Sequence, residues 1–482
     1  MENNKVRLRF APSPTGFLHI GNLRTAFFGY LIAKSQGGKF ILRIEDTDSK
    51  REVEGAVESL LNILNWIGIE LDEGPGEISG DFGPYIQSQR LGIYKEYVEK
   101  LLSEEKVYPC FCSEERLTKM REEQIAAKKA PGYDRHCRSL SKEDVMAKIT
   151  AGEKYVIRQK MPLEGEVKVY DELRGEIIFK ASELDDHVLI KSNGIPTYQF
   201  ASVVDDHLMK ISHVTRGDEW LGSFPKNILL YQAFGWQPPL FIHLPLLLNK
   251  TGGKLSKRQG DVFVEEYKSK GYLKEAIINF CALLGWHPKD DKEILSLKEL
   301  EETFSISGLG SSPAVFDLEK LDYFNAYFIR QKKTEELSEI LKPYLKEANL
   351  NIDDLRLENF VSLIKDRLKK LSDAPEAISF FFKLSEYDKE LLAWKNMSPE
   401  EAKNNLSEVL QKLESFSESD WQKEKLELNI LSWIKEEKEG KNGNYLWPMR
   451  VALSGLKNSP SPFEIAWALG KEESLLRIKT AL

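Results

Sequence analysis

Short apolar runs alternate with helix-like stretches along the first part of the chain. Val6–Phe10 and Phe40–Ile44 are apolar runs of strand length, and apolar residues at helical spacing follow them, over about residues 22–36 and 51–67. Strand–helix–strand order of this kind favours a parallel sheet with right-handed crossovers. The pattern therefore predicts an α/β fold whose first half covers residues 1–110.

Residues 111–187 differ in character from their flanks. A charged helical stretch, Ser113–Lys129, carries no long apolar stripe, and short strand-like pieces such as Tyr155–Gln159 follow it. The α/β pattern then resumes over residues 188–250 and closes with an apolar run in which Pro245 is expected to end a buried strand early. We therefore predict that residues 111–187 are an insertion that splits the α/β fold.

The last third of the chain has a helical pattern. After about residue 262, apolar residues recur at spacings of three and four, for example over Leu273–Leu284 and Leu355–Leu371. No strand-rich block is visible after residue 320. We predict a connecting segment at 251–320 and an all-helical region at 321–482.

Composition narrows the class of protein. A length of 482 residues fits three or four domains, and the net charge of −8 argues against a protein that coats nucleic acid by bulk positive charge. Four cysteines are too few for a disulfide scaffold of this size. No apolar run reaches the ~18 residues of a membrane span, and the start of the chain lacks the pattern of a signal peptide. We expect a cytoplasmic protein with no membrane partner.

Two loops carry residues suited to binding a nucleotide. His19-Ile20-Gly21-Asn22 follows a strand and opens a helix, whose amino terminus offers unpaired N–H groups to phosphate. Lys254-Leu255-Ser256-Lys257-Arg258 lies in a glycine-flanked loop that could close over a triphosphate and neutralise the charge of departing pyrophosphate. Taken singly, the first is more often a structural turn and the second a solvated basic loop.

Together these loops resemble the HIGH and KMSKS signatures of the class I aminoacyl-tRNA synthetases. Further blocks resemble the glutamyl branch of that class, the bacterial-type glutamyl-tRNA synthetases: Arg9–Gly16, Leu42–Asp48, Pro196–Tyr198, Val203–His207 and Arg216–Trp220. The chain departs from the class signatures at two positions. Asn22 replaces the second histidine, as is usual in this branch, and Leu255 replaces a methionine.

The resemblance implies a fold and an activity. The fold would be a class I synthetase Rossmann-like catalytic domain with an inserted acceptor-end-binding domain, followed by an all-helical anticodon-binding region. The activity would be that of a glutamate–tRNA ligase, which uses ATP and Mg²⁺ to activate L-glutamate and transfers it to tRNA(Glu). Family members typically need bound tRNA before they activate glutamate, and they are expected to be monomers.

The resemblance also implies roles for individual residues. The catalytic residues would be His19, Lys254 and Lys257. The ATP-binding residues would be His19, Gly21, Asn22, Lys254, Ser256, Lys257 and Arg258. The glutamate-binding residues would be Arg9, Ser13, Glu45, Tyr198 and Arg216, with Glu45 holding the α-ammonium. Planar guanidinium groups at Arg9 and Arg216 suit the side-chain carboxylate because each can grip it with two hydrogen bonds.

A cysteine cluster in the predicted insertion has the spacing of a possible zinc site. Cys110, Cys112 and Cys137 supply three thiolates, whereas structural zinc takes four ligands. Some relatives pair C-x-C with Tyr-x-x-x-Cys, a spacing that Tyr133 and Cys137 match, and the adjacent His136 is the alternative fourth ligand. The other interpretation is three reduced thiols without metal.

Several rival functions remain to be weighed. A short paralogue that glutamylates a modified tRNA base lacks the helical third, so this chain is too long for it. A small nucleotidyltransferase would need neither that third nor the paired arginines. A non-catalytic, zinc-containing tRNA-binding protein would have no use for a phosphate clamp.

Whether tRNA(Gln) is also charged stays open. Trp433 and Trp447 are possible base stackers, although we expect core positions for both.

Overall fold

The computed structural model describes residues 5–78, 80–255 and 262–482. The chain divides into two compact units. The first unit comprises Met1–Tyr267 and Ile277–Leu318, and the second comprises Lys268–Ala276 and Glu319–Leu482.

The strands of the described residues all lie in the first unit. They are β1 Arg7–Phe10, β2 Lys39–Leu42, β3 Val107–Cys110, β4 Val156–Gln159, β5 Glu166–Asp171, β6 Gly175–Lys180, β7 Val188–Ile190, β8 His213–Gly217, β9 Leu240–Leu244, β10 Leu247–Asn249 and β11 Ala314–Phe316.

Helices occur in both units. In chain order, the helices up to residue 303 are α1 Ile20–Ser35, α2 Ala56–Ile67, α3 Leu91–Ser103, α4 Glu114–Ala126, α5 Lys142–Thr150, α6 Tyr198–Leu208, α7 Phe224–Phe234, α8 Val264–Ser269, α9 Lys274–Leu283 and α10 Leu297–Thr303. The later helices are α11 Leu318–Gln331, α12 Thr334–Glu347, α13 Leu357–Ile364, α14 Ala374–Phe382, α15 Pro399–Glu414, α16 Lys423–Glu437, α17 Asn442–Ser454, α18 Pro462–Leu469 and α19 Lys471–Ala481.

The predicted parallel pairing is confirmed. β1 pairs with β2, and β9 pairs with both β8 and β5, in every case parallel. Ser212, just before β8, joins the two sheets, because its backbone N–H donates to the carbonyl of Arg7 (2.9 Å) and its hydroxyl accepts from the Arg7 N–H (2.8 Å). The carboxyl ends of β1, β2, β8 and β9 therefore supply side chains to one edge.

Pro245 separates two strands, as its missing N–H predicts. β9 ends at Leu244, and β10 begins at Leu247 and pairs in parallel with β11. The apolar run Leu240–Leu248 is thus two short strands with different partners.

Strand pairing crosses the boundaries predicted for the insertion. β3 lies before residue 111 and pairs with β4, which also pairs with β7 after residue 187. β5 pairs with β6 and, at Asp171, with β9. The segment between residues 111 and 187 thus contributes two strands, β5 and β6, to the sheet that contains β8 and β9, and the domain boundaries themselves stay predictions.

The second unit is helical throughout the part that the structure describes. Its core is formed by apolar faces of α12 to α19 and includes Trp433, with Trp447 packed against it, which confirms the core positions expected for both. The helical spacing over Leu355–Leu371 corresponds to α13 in its first part, and the chain leaves the helix before residue 371, whose N–H donates to the carbonyl of Gly271 (3.1 Å).

Among the described residues, the helices do not combine the length and apolar character needed to cross a bilayer.

Candidate active site

Four of the predicted glutamate-binding residues lie near one another at the carboxyl edge of the strands. Arg9 and Arg216 are each the last residue but one of their strands, β1 and β8, and Glu45 follows β2. Tyr198 opens α6, and the charges of Glu45, Arg216 and Arg9 all act on its hydroxyl. Ligands bind open α/β sheets at this edge, so the placement fits a substrate pocket.

A buried carboxylate holds Arg9 in place. The Arg9 Nε donates to Oδ1 of Asp206 (2.9 Å), and the same oxygen accepts from Nη1 of Arg43 (2.7 Å). Burial by itself would raise the pKa of Asp206, but the two guanidinium groups hold that pKa below its ordinary value. Asp206 therefore stays ionised and pairs two cations.

A second carboxylate, Asp205, belongs to the same network of buried charges. It pairs with Arg90 (Nε to Oδ1, 2.7 Å) and is entirely buried. Its other oxygen accepts from the Gln87 amide at 2.9 Å and from the Tyr94 hydroxyl at 2.8 Å. Since buried charges are costly without such partners, these three contacts offset the burial of Asp205.

Glu45 has one oxygen engaged and one without a partner among the described residues. Its Oε1 accepts from Nη2 of Arg43 (3.0 Å), whereas its buried Oε2 has no hydrogen-bond partner there. Burial raises the pKa of Glu45 to about 7, against the opposing charge of Arg43. The arrangement leaves a carboxylate oxygen that can accept from a cation.

Arg216 likewise has an unused donor. Its Nε donates to Nε2 of His243 (3.0 Å), while its buried Nη2 has no partner among the described residues. The Tyr198 ring packs against Trp220 with centroids 4.4 Å apart. Arg216 and Glu45 thus present a free donor and a free acceptor in the same buried region, matching the two charge types of an amino acid.

His19 caps α1, as the predicted strand-to-helix turn requires. Its Nδ1 accepts from the Gly21 N–H (3.0 Å), so the ring proton lies on Nε2. A Cβ at Gly21 would lie 3.2 Å from that nitrogen, tighter than ordinary contact, which explains the glycine. The ring is therefore held at the positive end of the helix dipole with a donor at Nε2.

The two predicted nucleotide loops are joined by backbone pairing. The Leu255 N–H donates to the carbonyl of Leu247 (2.9 Å), and the Ile20 N–H donates to the carbonyl of Val262 (2.8 Å). Lys254 is exposed in the hairpin that these bonds close. Both ends of the 256–261 segment are thereby anchored beside the start of α1, while Ser256, Lys257 and Arg258 lie outside the described residues.

Ser13 and Asn22, unlike the four residues above, lie at the surface. Both are exposed and both line a cavity of about 40 Å³ that also includes Ile44. The Pro12 carbonyl next to Ser13 accepts from the Glu45 N–H (3.0 Å). The backbone next to Ser13 is therefore bonded to Glu45, but Ser13 itself is not part of the buried charge network.

The three cysteines form a compact cluster. The sulfur atoms of Cys110, Cys112 and Cys137 all lie within 4.8 Å of one another. The Tyr133 hydroxyl lies 3.2 Å from the sulfur of Cys110 and 3.5 Å from that of Cys112. His136 is exposed and is not one of the clustered residues. The geometry thus groups three thiols with a phenol.

Comparison with known proteins identifies the family. Residues 5–323 match the catalytic domain of the class I tRNA synthetases (E and Q), and residues 336–482 match an anticodon binding domain. The chain belongs to the class I tRNA synthetases of the E and Q type.

Full-length relatives of this synthetase agree with the family match. The glutamate–tRNA ligase of Clostridium botulinum strain Hall is 48% identical over 482 residues, covering 99% of this chain and 98% of the relative. The enzyme of the same name from Clostridium tetani is 47% identical, covering 100% and 98%. A crystal structure of a glutamate tRNA ligase from Elizabethkingia meningosepticum, in complex with its amino acid, superposes with a TM-score of 0.91 at 37% identity, covering 99% of each chain.

Sequence reasoning on this synthetase missed several residues of the site. Arg43 and Asp206 lie inside motif blocks that were recognised, but the pairing of Asp206 with both Arg9 and Arg43 was not. His243 and Asp171 lie outside every recognised block, and the chain itself carries no signal for them.

Proposed function

We propose that this protein is a glutamate–tRNA ligase that activates L-glutamate with ATP and charges tRNA(Glu). The observation that carries the proposal is the buried pocket in which Arg216 keeps a free donor and Glu45 a free acceptor. A substrate with a carboxylate at one end and an ammonium at the other satisfies both. The full-length identity to relatives named glutamate–tRNA ligase supports the same substrate.

In this proposal, Arg216 and Arg9 receive the side-chain carboxylate and Glu45 the α-ammonium. Arg9 is already tied to Asp206 through Nε, which leaves its terminal nitrogens for the substrate. Tyr198, whose hydroxyl is within reach of the charges of both arginines and Glu45, would frame the side-chain carboxylate together with the arginines, and Ser13 would support the same region. Desolvated charges discriminate strongly, because a ligand that lacks one partner leaves the other unpaired.

On the nucleotide side, His19 would donate from Nε2 to the phosphates of ATP. Gly21 and Asn22 would lie along the nucleotide, and Lys254, Ser256, Lys257 and Arg258 would close over the triphosphate. Mg²⁺ would enter with ATP as part of the substrate and neutralise phosphate charge. Support for this side comes from the capped start of α1 and from the anchored ends of the 256–261 segment.

The reaction then runs in two steps. An oxygen of the glutamate α-carboxylate attacks the α-phosphorus of ATP, and the bond to pyrophosphate breaks, giving glutamyl-adenylate. A ribose hydroxyl of the tRNA 3′-terminal adenosine next attacks the activated carbonyl and AMP leaves. The protein forms no covalent bond in either step, so its contribution is positioning and charge stabilisation by His19, Lys254 and Lys257.

We propose that Cys110, Cys112, Cys137 and Tyr133 hold a structural zinc ion. A tetrahedral site with Zn–S bonds of ~2.3 Å places sulfurs ~3.8 Å apart, and the cluster is of that size. The position of Tyr133 against two of the sulfurs supports it over His136 as the fourth ligand. Zinc would supply no chemistry to the reaction and would brace the chain around α4.

The zinc proposal has a direct test. Metal analysis of purified protein should give about one zinc per chain, and Cys137→Ser should lose it while Cys281→Ser keeps it. Tyr133→Phe should weaken zinc retention against a chelator more than His136→Ala does. Equal retention in all four variants would contradict the site.

We further propose that the helical region recognises the anticodon, as its family match suggests, and that the protein works as a monomer. We propose five divisions: 1–110 and 188–250 are the two halves of the catalytic domain, and 111–187 is the inserted acceptor-end-binding domain. Residues 251–320 are the KMSKS-like loop and stem-contact domain, and residues 321–482 are the anticodon-binding domain.

The deciding experiment is charging of radiolabelled glutamate onto purified tRNA(Glu) and, separately, onto tRNA(Gln), with ATP and Mg²⁺. Charging of tRNA(Glu) is the expected result. Charging of both would define a non-discriminating enzyme. Charging of neither by folded protein with competent tRNA would refute the proposal and favour a tRNA-binding role without catalysis.

A further inference from the structure

His243 lies directly beside Arg216 on the neighbouring strand. The parallel register of β8 and β9 pairs the two residues, and the Arg216 Nε donates to Nε2 of His243 at 3.0 Å. His243 is entirely buried. The Nε2 atom of this histidine is therefore held against Arg216 and screened from solvent.

Asp171 determines which nitrogen of His243 carries the proton. Its Oδ2 lies 2.8 Å from Nδ1 of His243 and also accepts from the His243 backbone N–H at 2.9 Å. A carboxylate can only accept, so Nδ1 must be the donor and Nε2 is left as the acceptor that faces Arg216. Burial also lowers the pKa of His243, which favours the neutral ring.

The consequence for Arg216 is a fixed orientation of its guanidinium group. With Nε held by His243, the plane of the group is set by strand β9 rather than by the pocket. Its Nη2, buried and without a partner among the described residues, is left for a ligand. Preorganised donors cost no reordering when the ligand arrives, so the fixed plane adds to affinity.

We propose that His243, oriented by Asp171, is a positioning residue that sets Arg216 to receive the side-chain carboxylate of glutamate. This inference rests on the function proposed above. Asp171 is the last residue of β5, within the segment predicted as the insertion. A residue of that segment thereby controls recognition of the amino acid.

The test compares His243→Leu with His243→Gln in charging assays that contain tRNA. Leucine removes the acceptor, whereas the glutamine Oε1 reaches the place of Nε2 and can still accept from Arg216. We expect His243→Leu to raise the glutamate KM about 10- to 100-fold, as loss of a hydrogen bond to a charged group does. The ATP KM should stay within about twofold, and His243→Gln should recover most of the glutamate KM.

His213→Leu is the matched control. It removes another buried histidine from the same sheet, one that contacts Ser212 rather than Arg216. Its glutamate KM should equal that of the wild type. If His243→Leu fails to fold, Asp171→Asn takes its place, because a neutral amide oxygen holds the Nδ1 proton less strongly than the carboxylate does. The glutamate KM should then rise by up to about tenfold.

A second readout does not depend on activity. Long-range proton–nitrogen correlation on histidine-labelled protein should assign His243 to the neutral form with hydrogen on Nδ1, identified by its loss in His243→Gln. The Nε2-protonated form would overturn the inference. So would equal glutamate KM values in the wild type and both His243 variants. If the wild type charges no tRNA with glutamate, the proposed function itself fails and this inference falls with it.

Discussion

The amino-acid side and the nucleotide side of the site are built in opposite ways. Arg9, Glu45 and Arg216 are 5%, 3% and 6% exposed and are each held by another charged or polar group. Asn22 and Lys254, by contrast, are exposed residues of a helix start and a hairpin. In the proposed function, a small dicarboxylate is thus met by charges fixed before it binds, whereas the nucleotide is met at the surface. The difference follows from cost, since buried charges need permanent partners and exposed ones do not.

The largest effect should come from breaking the buried network. Asp206→Asn removes the carboxylate shared by Arg9 and Arg43, and loss of one partner from a buried ion pair costs about 3–5 kcal/mol in free energy of unfolding. Urea unfolding measures this loss of free energy. The control is Glu99→Gln, which removes an exposed pair with Lys95 and should cost less than ~1 kcal/mol. Similar losses of unfolding free energy in both variants would contradict the expected difference between buried and exposed charges.

Removing a substrate-facing charge should rank next. Arg216→Met is expected to lower kcat/KM for glutamate by roughly 30- to several-thousand-fold, because truncating one member of a buried charge pair costs about 2–5 kcal/mol. The ATP KM should change little. Arg216→Lys should recover only part of the loss, since a lysine lacks the planar fork. Full recovery with lysine would mean that charge alone, without orientation, selects the substrate.

On the exposed side the expected loss is smaller. Lys254→Ala should lower the rate of glutamate-dependent ATP–pyrophosphate exchange, with tRNA present, by about 10- to 100-fold, through lost stabilisation of phosphate charge. Stability should not change, because the side chain is exposed. Lys250→Ala removes another exposed lysine from the same hairpin and should leave the rate nearly intact. An equal effect of both would indicate a general influence of basic charge.

The smallest effect is a pH dependence of glutamate binding. The pKa of Glu45 is raised to about 7 by burial, so the carboxylate that accepts the ammonium is lost as pH falls below that value. Asp206, whose pKa is held low, stays ionised over the same range. The glutamate KM should rise up to about tenfold per pH unit below pH 7. Glu45→Gln should show a high KM with no such dependence, and a wild-type KM constant from pH 5.5 to 8 would contradict this assignment.

Much of the fold could be predicted from local patterns. The apolar runs at β1 and β2, the helical spacing that became α9, and the role of Pro245 all depend on residues close in the chain. The motif blocks located Arg9, Glu45, Tyr198 and Arg216, and the cysteine spacing located the thiol cluster. The helical spacing over Leu355–Leu371 did not show where α13 ends, because the Leu371 N–H bonds to the carbonyl of Gly271, which is far away in the chain.

The chain by itself determined the family, the order of elements and the residue types available at the carboxyl edge of the sheet, because these depend on spacing and side-chain chemistry. Only the tertiary structure decided how those residues are paired. His243 meets Asp171 across 72 positions and Asp206 meets Arg9 across 197. Such pairs depend on the register of neighbouring strands and on which charged side chains burial removes from water. No local segment of the chain specifies either of these.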